Sequence, residues 1–314
     1  MAGVRTMTAF AAIAEDYLAT RRAFGYKLLQ QGRMLHQFVG YLEATGAEHV
    51  TVAHALAWAA QPADAKPAWW AGKLGVARGF ARYLQAFDPC TEVPPSGLLP
   101  DPSHRAVPYI YSEEDIARLL QAAGRLMPPS RADTYQTLIS LVRVTGMRAG
   151  EAVMLDRSDL DWEEGLLTIR NGKFGKSRQL PLHESTVAAL RAYAARRDQR
   201  YPRPKAPSFF VSTVGTRLLR DNLSTVFPRL VRDARLDWSG RRRPPRLHDL
   251  RHSFACAALI SWYRQGLDVQ QRLPLLSTYL GHNGPESTYW YLSMVPELLE
   301  LLAERLEADQ GGVR

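Results

Sequence analysis

The chain has 314 residues, 46% hydrophobic and 23% charged, which excludes a disordered polyelectrolyte and leaves room for two domains with their own cores. Forty Lys and Arg against 31 Asp and Glu give a formal charge of +9, a balance that favours a polyanionic partner. The only cysteines, Cys90 and Cys256, lie far apart with no C-x-x-C, and no apolar run approaches the roughly 20 residues that span a bilayer; these features exclude a disulfide framework, a thiolate zinc site and a membrane span, and fit a cytoplasmic protein, associated with the nucleoid if the polyanion is DNA.

In chain order, apolar residues recur every three or four positions over residues 10–22, 30–44, 52–59 and 69–87, which predicts a small helical bundle. The apolar stretch after Arg5 runs into Glu15 and Asp16, so it reads as the start of a helix and not as a leader peptide. Pro94, Pro95, Pro100, Pro102 and Pro108 then interrupt regular structure. The expected division is a helical domain at 1–90, a linker at 91–108 and a second domain at 109–314. Residues 1–107 hold ten basic and eight acidic side chains, so the positive excess belongs to the second domain.

That domain opens with Ser112 as a helix cap, followed by Glu113, Glu114 and Asp115 against the positive end of the helix dipole. Residues 134–144 form an apolar helix running into T-G-M-R-A-G-E at 145–151, with a further helical turn over 151–155. Residues 166–170 and 179–182 read as strands flanking a polar Gly and Lys segment, a hairpin with a longer loop. The remainder is mainly helical. The fold class is therefore mainly α with a small antiparallel β-sheet (α+β).

Five segments carry candidate chemistry. Arg148 lies on a glycine-flanked turn, where its guanidinium can face a cleft or simply cap a helix end. In L-H-D-L-R-H, residues 247–252, His248 and Arg251 share a helical face and can converge on one anion. His248 and His252 also have zinc-helix spacing, but Arg251 beside them would repel a divalent cation and no third ligand is evident. G-K-F-G-K-S at 172–177 ends like a phosphate-binding loop, yet Arg170 stands where the first glycine is required and the segment falls in a hairpin. The run Arg241, Arg242, Arg243 and Arg246 either tracks phosphates or forms a solvated basic loop, and Lys176 is a further candidate for phosphate contact. L-G-H at 280–282 is followed nine positions later by Tyr291 in S-T-Y-W-Y-L.

Taken together, Arg148, Lys173, His248, Arg251, His282 and Tyr291, with the segments at 151–161 and 172–182, resemble the tyrosine recombinase family, which includes phage integrases and Xer-type recombinases. The resemblance covers about residues 109–300, and the ending T-Y-W-Y-L with P-E-L-L is similar to integrases of mobile elements. It implies site-specific cleavage and rejoining of double-stranded DNA without metal, cofactor or ATP. Tyr291 would attack to give a 3′-phosphotyrosine, Arg148 and Arg251 would hold the phosphate, and Lys173 would protonate the leaving 5′ oxygen. His248 would accept the phenol's proton and His282 would donate to the phosphate. Tyr279 and Tyr289 read as packing residues.

The resemblance also implies a DNA clamp formed with the N-terminal bundle, a homotetramer on paired sites, and partner recombinases or accessory proteins in some systems. The apolar stripe at 296–306 would suit a helix exchanged between protomers or one docked on its own domain. Residues 266–280 are longer than the family's usual spacing, and a loop insertion is expected there. A type IB topoisomerase, a telomere resolvase and an accessory DNA-binding protein are the alternative functions.

Overall fold

The computed structural model describes residues 9–100, 107–170, 177–203, 205–282, 288, 289 and 291. Lys173, Lys176 and the stripe at 296–306 lie outside them. The chain forms two compact units, Met1–Arg105 and Ala106–Arg314. Among the described residues no helix is long and apolar enough to cross a membrane.

The first unit consists of α1 (Ala9–Ala23), α2 (Leu29–Ala44), α3 (Val52–Ala59) and α4 (Pro67–Leu84). Leu18, Leu35, Phe38, Leu42, Trp58, Leu74 and Phe80 meet in its core, each large apolar side chain stabilising the unit by roughly 1.5–3 kcal/mol through burial. Lys73 is the one ammonium taken inside this unit among the described residues. It bonds the carbonyls of Trp58 at 2.7 Å and Gln61 at 2.8 Å, and its Nζ lies 4.2 Å from the Trp58 ring centroid. These contacts offset a desolvation that lowers its pKa. Beyond α4 the proline-rich segment stays on this unit, since Arg78 donates to the carbonyls of Pro94 at 2.7 Å and Pro95 at 2.8 Å while Val93 and Leu99 pack on the core.

The second unit opens with α5 (Glu113–Gly124). Ser112 Oγ accepts from Asp115 N and the Asp115 carboxylate accepts from Ser112 N, both at 3.1 Å, a capping box that fixes the helix start. Helix α6 (Pro129–Thr145) is the central element, packing against α5, α8 (Glu184–Arg200) and α10 (Asp249–Arg264). Its Leu138, Ile139, Leu141 and Val142 anchor a core completed by Leu167, Leu180, Phe209, Phe210, Leu230 and Leu250. After α7 (Ala149–Met154) and a 3-10 turn come β1 (Leu160–Asp161), β2 (Leu166–Ile169) and β3 (Arg178–Pro181), an antiparallel sheet in the order β1-β2-β3. Ile169 pairs with Arg178, the last strand pair before the connection between β2 and β3, and Leu166 with Pro181 at the hairpin's open end. Helix α9 (Arg220–Asp233) lies between the sheet and α10 in sequence. The mainly α architecture with a small antiparallel sheet is that expected from the sequence.

One expectation is overturned. The longer segment at 266–280 is not a loop insertion but mostly helix, α11 (Val269–Leu280). Asp268 caps it by accepting from Gln271 N at 3.1 Å, and Val269, Leu273, Leu276 and Leu280 fall on one face against Ala255, Cys256 and Leu259 of α10. The interior Pro274 masked this periodicity in the sequence.

Candidate active site

Two glycine turns aim the site. Helix α6 ends at Gly146 with φ 60°, where a Cβ would sit 2.5 Å from Phe254 Cδ1, so only glycine lets the chain turn there and place Arg148 at the cap of α7. Helix α11 ends at Gly281 with φ 67°, where a Cβ would lie 2.9 Å from Arg178 Nη1, and His282 follows at once.

The last carbonyls of α11 lack helical partners, and three guanidiniums supply them. Tyr279 O accepts from Arg178 Nε at 2.8 Å, Leu280 O from Arg251 Nη2 at 2.6 Å, and Gly281 O from Arg148 Nη2 at 2.7 Å. Arg251, 1% exposed, also donates from Nη1 to Gly146 O at 2.9 Å, tying the two glycine turns together. Glu151 is the carboxylate among these cations. It accepts from Arg148 N at 2.9 Å and Arg148 Nη1 at 2.8 Å, and from Arg178 Nη1 and Nη2 at 3.0 and 2.8 Å. Burial works to raise its pKa, but the bonds from Arg178 and Arg148 outweigh burial and hold it at about 2. Burial first, and Arg148 second, lower the Arg251 pKa to about 10, which leaves it cationic at neutral pH. Three cations against one carboxylate make a site for a further anion.

Beside this cluster runs a row of rings. His248 stands at the N-cap position of α10 without a side-chain capping bond, and His252 follows one turn on, their ring centroids 4.9 Å apart and nearly perpendicular at 84°. His252 is buried, and its Nδ1 lies 3.1 Å from the hydroxyl oxygen of Tyr291. The Tyr291 side chain is 1% exposed, and the His282 ring stacks against it with centroids 6.3 Å apart. His282 Nδ1 is 2.9 Å from Thr288 Oγ1. His248 reaches the surface, yet desolvation of its imidazole, with Arg251 adding to it, lowers its pKa to about 4. It is therefore neutral at physiological pH. Tyr279 stacks on Phe254 with centroids 5.6 Å apart and burial raises its pKa, whereas Tyr289 is 49% exposed.

Five of the six residues singled out in the sequence thus gather at the ends of α6, α10 and α11, while Lys173 lies outside the described residues. The basic run divides. Arg241 donates to Pro108 O at 3.1 Å and covers the Tyr109 ring, and Arg246 pairs with Asp249 at 2.8 Å, bracing the start of α10. Arg242 and Arg243 are exposed. Sequence reasoning missed the site roles of Glu151, Arg178 and His252. Arg178 closes the Lys-bearing hairpin motif, and His252 appeared only in a zinc spacing that was set aside.

The profile described as "Phage integrase family" matches residues 110–297. A putative integrase/recombinase, y4rB of Sinorhizobium fredii, is 45% identical over 309 residues, covering 96% of this chain and 98% of that protein. Tyrosine recombinase XerC of Azotobacter vinelandii is 33% identical, covering 69% of this chain and 67% of that protein. In fold, the chain is similar to the XerH site-specific recombinase solved on palindromic difH substrate, with a TM-score of 0.63 at 20% identity over 87% of this chain and 78% of that one. A whole-length integrase/recombinase relative, a tyrosine recombinase matched over two thirds of its length and a profile that spans the arginine turns, the histidine row and Tyr291 place the chain in the phage integrase family, as a tyrosine-type site-specific recombinase.

Proposed function

We propose that the protein cleaves and rejoins double-stranded DNA through a 3′-phosphotyrosine at Tyr291, with no metal and no ATP. The observation that carries this reading is the buried Tyr291, its hydroxyl 3.1 Å from the Nδ1 of His252, the residue after Arg251, and its ring stacked on His282, which follows the Gly281 carbonyl held by Arg148. A phosphodiester resists attack because it is anionic and its alkoxide leaves poorly. Arg148 and Arg251 offer fixed N–H donors to the non-bridging oxygens as charge grows in the five-coordinate transition state, which is the task a metal ion would otherwise perform. His282 donates to the same phosphate. Lys173 protonates the departing 5′ oxygen. The phosphotyrosine keeps the energy of the broken ester, so a 5′ hydroxyl from another strand reverses the step and exchange follows from cleavage.

The partner is duplex DNA, in keeping with the complexes formed by the XerH recombinase and by the Tn1549 transposon integrase. Arg242, Arg243 and Lys176 contact its backbone, with Arg241 and Arg246 shared between DNA and their internal bonds. The first unit closes on the duplex as a clamp, and four protomers act on two paired sites. The relatives named integrase/recombinase favour the mobile-element reading over a topoisomerase.

The test is covalent capture on nicked suicide duplexes drawn from the DNA flanking the gene. The parent should form an adduct in EDTA, and Tyr291→Phe should bind DNA without forming one. An adduct in the variant, or a strict need for added magnesium, would sink the mechanism; relaxation of supercoils at no specific site would replace the recombinase reading by a topoisomerase.

A further inference from the structure

The sequence pattern assigns the proton of the attacking phenol to His248, but the hydroxyl of Tyr291 meets a different ring. His252 Nδ1 lies 3.1 Å from that hydroxyl, on the buried side of α10. The His248 ring stands beyond it, edge to face at 4.9 Å, at the surface end of the row. Tyrosine, with an ordinary pKa near 10, presents almost no phenolate at neutral pH and needs a base in contact with its oxygen.

We propose that His252 is the general base of the cleavage step, an inference that rests on Tyr291 being the nucleophile. In the reactive tautomer the proton of the imidazole is on Nε2 and the lone pair of Nδ1 faces the phenol. As the Tyr291 oxygen bonds to phosphorus, its proton passes to Nδ1. The bond from phosphorus to the 5′ oxygen breaks, and that oxygen takes a proton from Lys173. Religation runs the same transfers backwards: the 5′ hydroxyl attacks, and the imidazolium returns its proton to the departing phenolate. The charged neighbours fit this assignment. Arg251 lies one residue before His252, so the phenolate forms beside a fixed positive charge, and the His282 ring stacks on the other side of Tyr291. His248 is left to face the phosphate from the open end.

The experiment is single-turnover cleavage of suicide duplexes by the full chain, scored per DNA-bound enzyme, between about pH 6.5 and pH 9.5. His252→Ala should cleave about 10²-fold more slowly than the parent near neutrality. Its rate should climb about tenfold per pH unit as phenolate forms unaided, while the parent's levels off, so the two converge in alkali. His252→Asn guards against a folding artefact: its Oδ1 can take the hydrogen bond but not the proton, and it should share the deficit and its pH slope. A 5′-bridging phosphorothiolate, which relieves the leaving group alone, should rescue neither variant. Parent-like cleavage by His252→Ala, full recovery in His252→Asn, or a deficit that does not change with pH would overturn the assignment. Loss of the adduct in Tyr291→Phe beside normal cleavage by His252→Ala would overturn only the role of His252, whereas an adduct in Tyr291→Phe would overturn the nucleophile itself.

Discussion

Arg178 and Glu151 face each other as a two-pronged ion pair, Nη1 to Oε1 at 3.0 Å and Nη2 to Oε2 at 2.8 Å. The pair joins the start of β3 to the first turn of α7, and Arg148 shares the same carboxylate. Removing one partner of such a pair strands a buried charge, at a cost of about 3–5 kcal/mol.

Glu151→Gln should therefore lower stability to chemical denaturation by about 3 kcal/mol at neutral pH. The folded carboxyl titrates at about 2 against an ordinary 4.5, so its contribution is whole above the ordinary value and is lost as pH falls through the folded one. The gap between parent and variant should hold steady from about pH 5 upward and close in stronger acid. A gap that stayed constant to about pH 2 would mean that the carboxyl charge is not the stabilising element.

The backbone turn is open to a paired test. Gly281→Ala forces an L side chain to φ 67° and drives a Cβ to 2.9 Å from Arg178 Nη1, while Gly25→Ala meets nothing within 4 Å at its φ of 85°. The second should cost only the left-handed strain, about 1–2 kcal/mol. The first should cost more in thermal unfolding and should also slow cleavage, because it displaces a guanidinium that holds the end of α11. Equal costs with unchanged cleavage would remove Arg178 from the site's frame.

Much of this frame was legible in the sequence because it is local. Helix α3 begins and ends where its periodicity does, Ser112 caps α5 as its three acidic followers imply, and the hairpin strands sit within a residue or so of their pattern. The gathering of Arg148, His248, Arg251, His282 and Tyr291 was anticipated for another reason: their types and spacing follow a family pattern. What escaped is long-range. Strand β1 is two residues and exists only as a partner of β2. Arg178 reads as a solvated strand end until Glu151 and Tyr279 O, 27 and 101 positions away, are brought to it. His252 gains meaning only when Tyr291 folds back 39 positions onto α10.

His248 supplies a pH signature for DNA binding. Its pKa is about 4 in the DNA-free chain against an ordinary 6.5, so the free protein is neutral there where an open histidine would be charged. A phosphate placed in the arginine cluster would raise that value and draw a proton in. Affinity measured at fixed salt should therefore rise more steeply in the parent than in His248→Gln as pH falls from about 7 toward about 5. Parallel slopes would place the bound phosphate away from His248.

Lys173 and Lys176 lie between β2 and β3 in the sequence, and chemistry separates their proposed roles. Lys173→Ala should slow cleavage of ordinary DNA by roughly 10²–10⁴-fold, and a 5′-bridging phosphorothiolate should restore it, because a thiolate leaves without a proton. Lys176→Ala should weaken binding with no selective rescue. Rescue of the second and not the first would exchange their roles.

The arginine braces on α11 bear on how an inactive form could be prepared for study on DNA. Arg148 and Arg251 each spend part of their donor set on a carbonyl of that helix end, with Arg251 holding Gly146 O as well. An ammonium cannot reproduce that planar fork, so Arg251→Lys would loosen the joint between two helices along with the grip on phosphate. A dead enzyme made at an arginine is thus a reshaped enzyme. The substitution that silences the chemistry and leaves the scaffold standing is the loss of one oxygen from Tyr291.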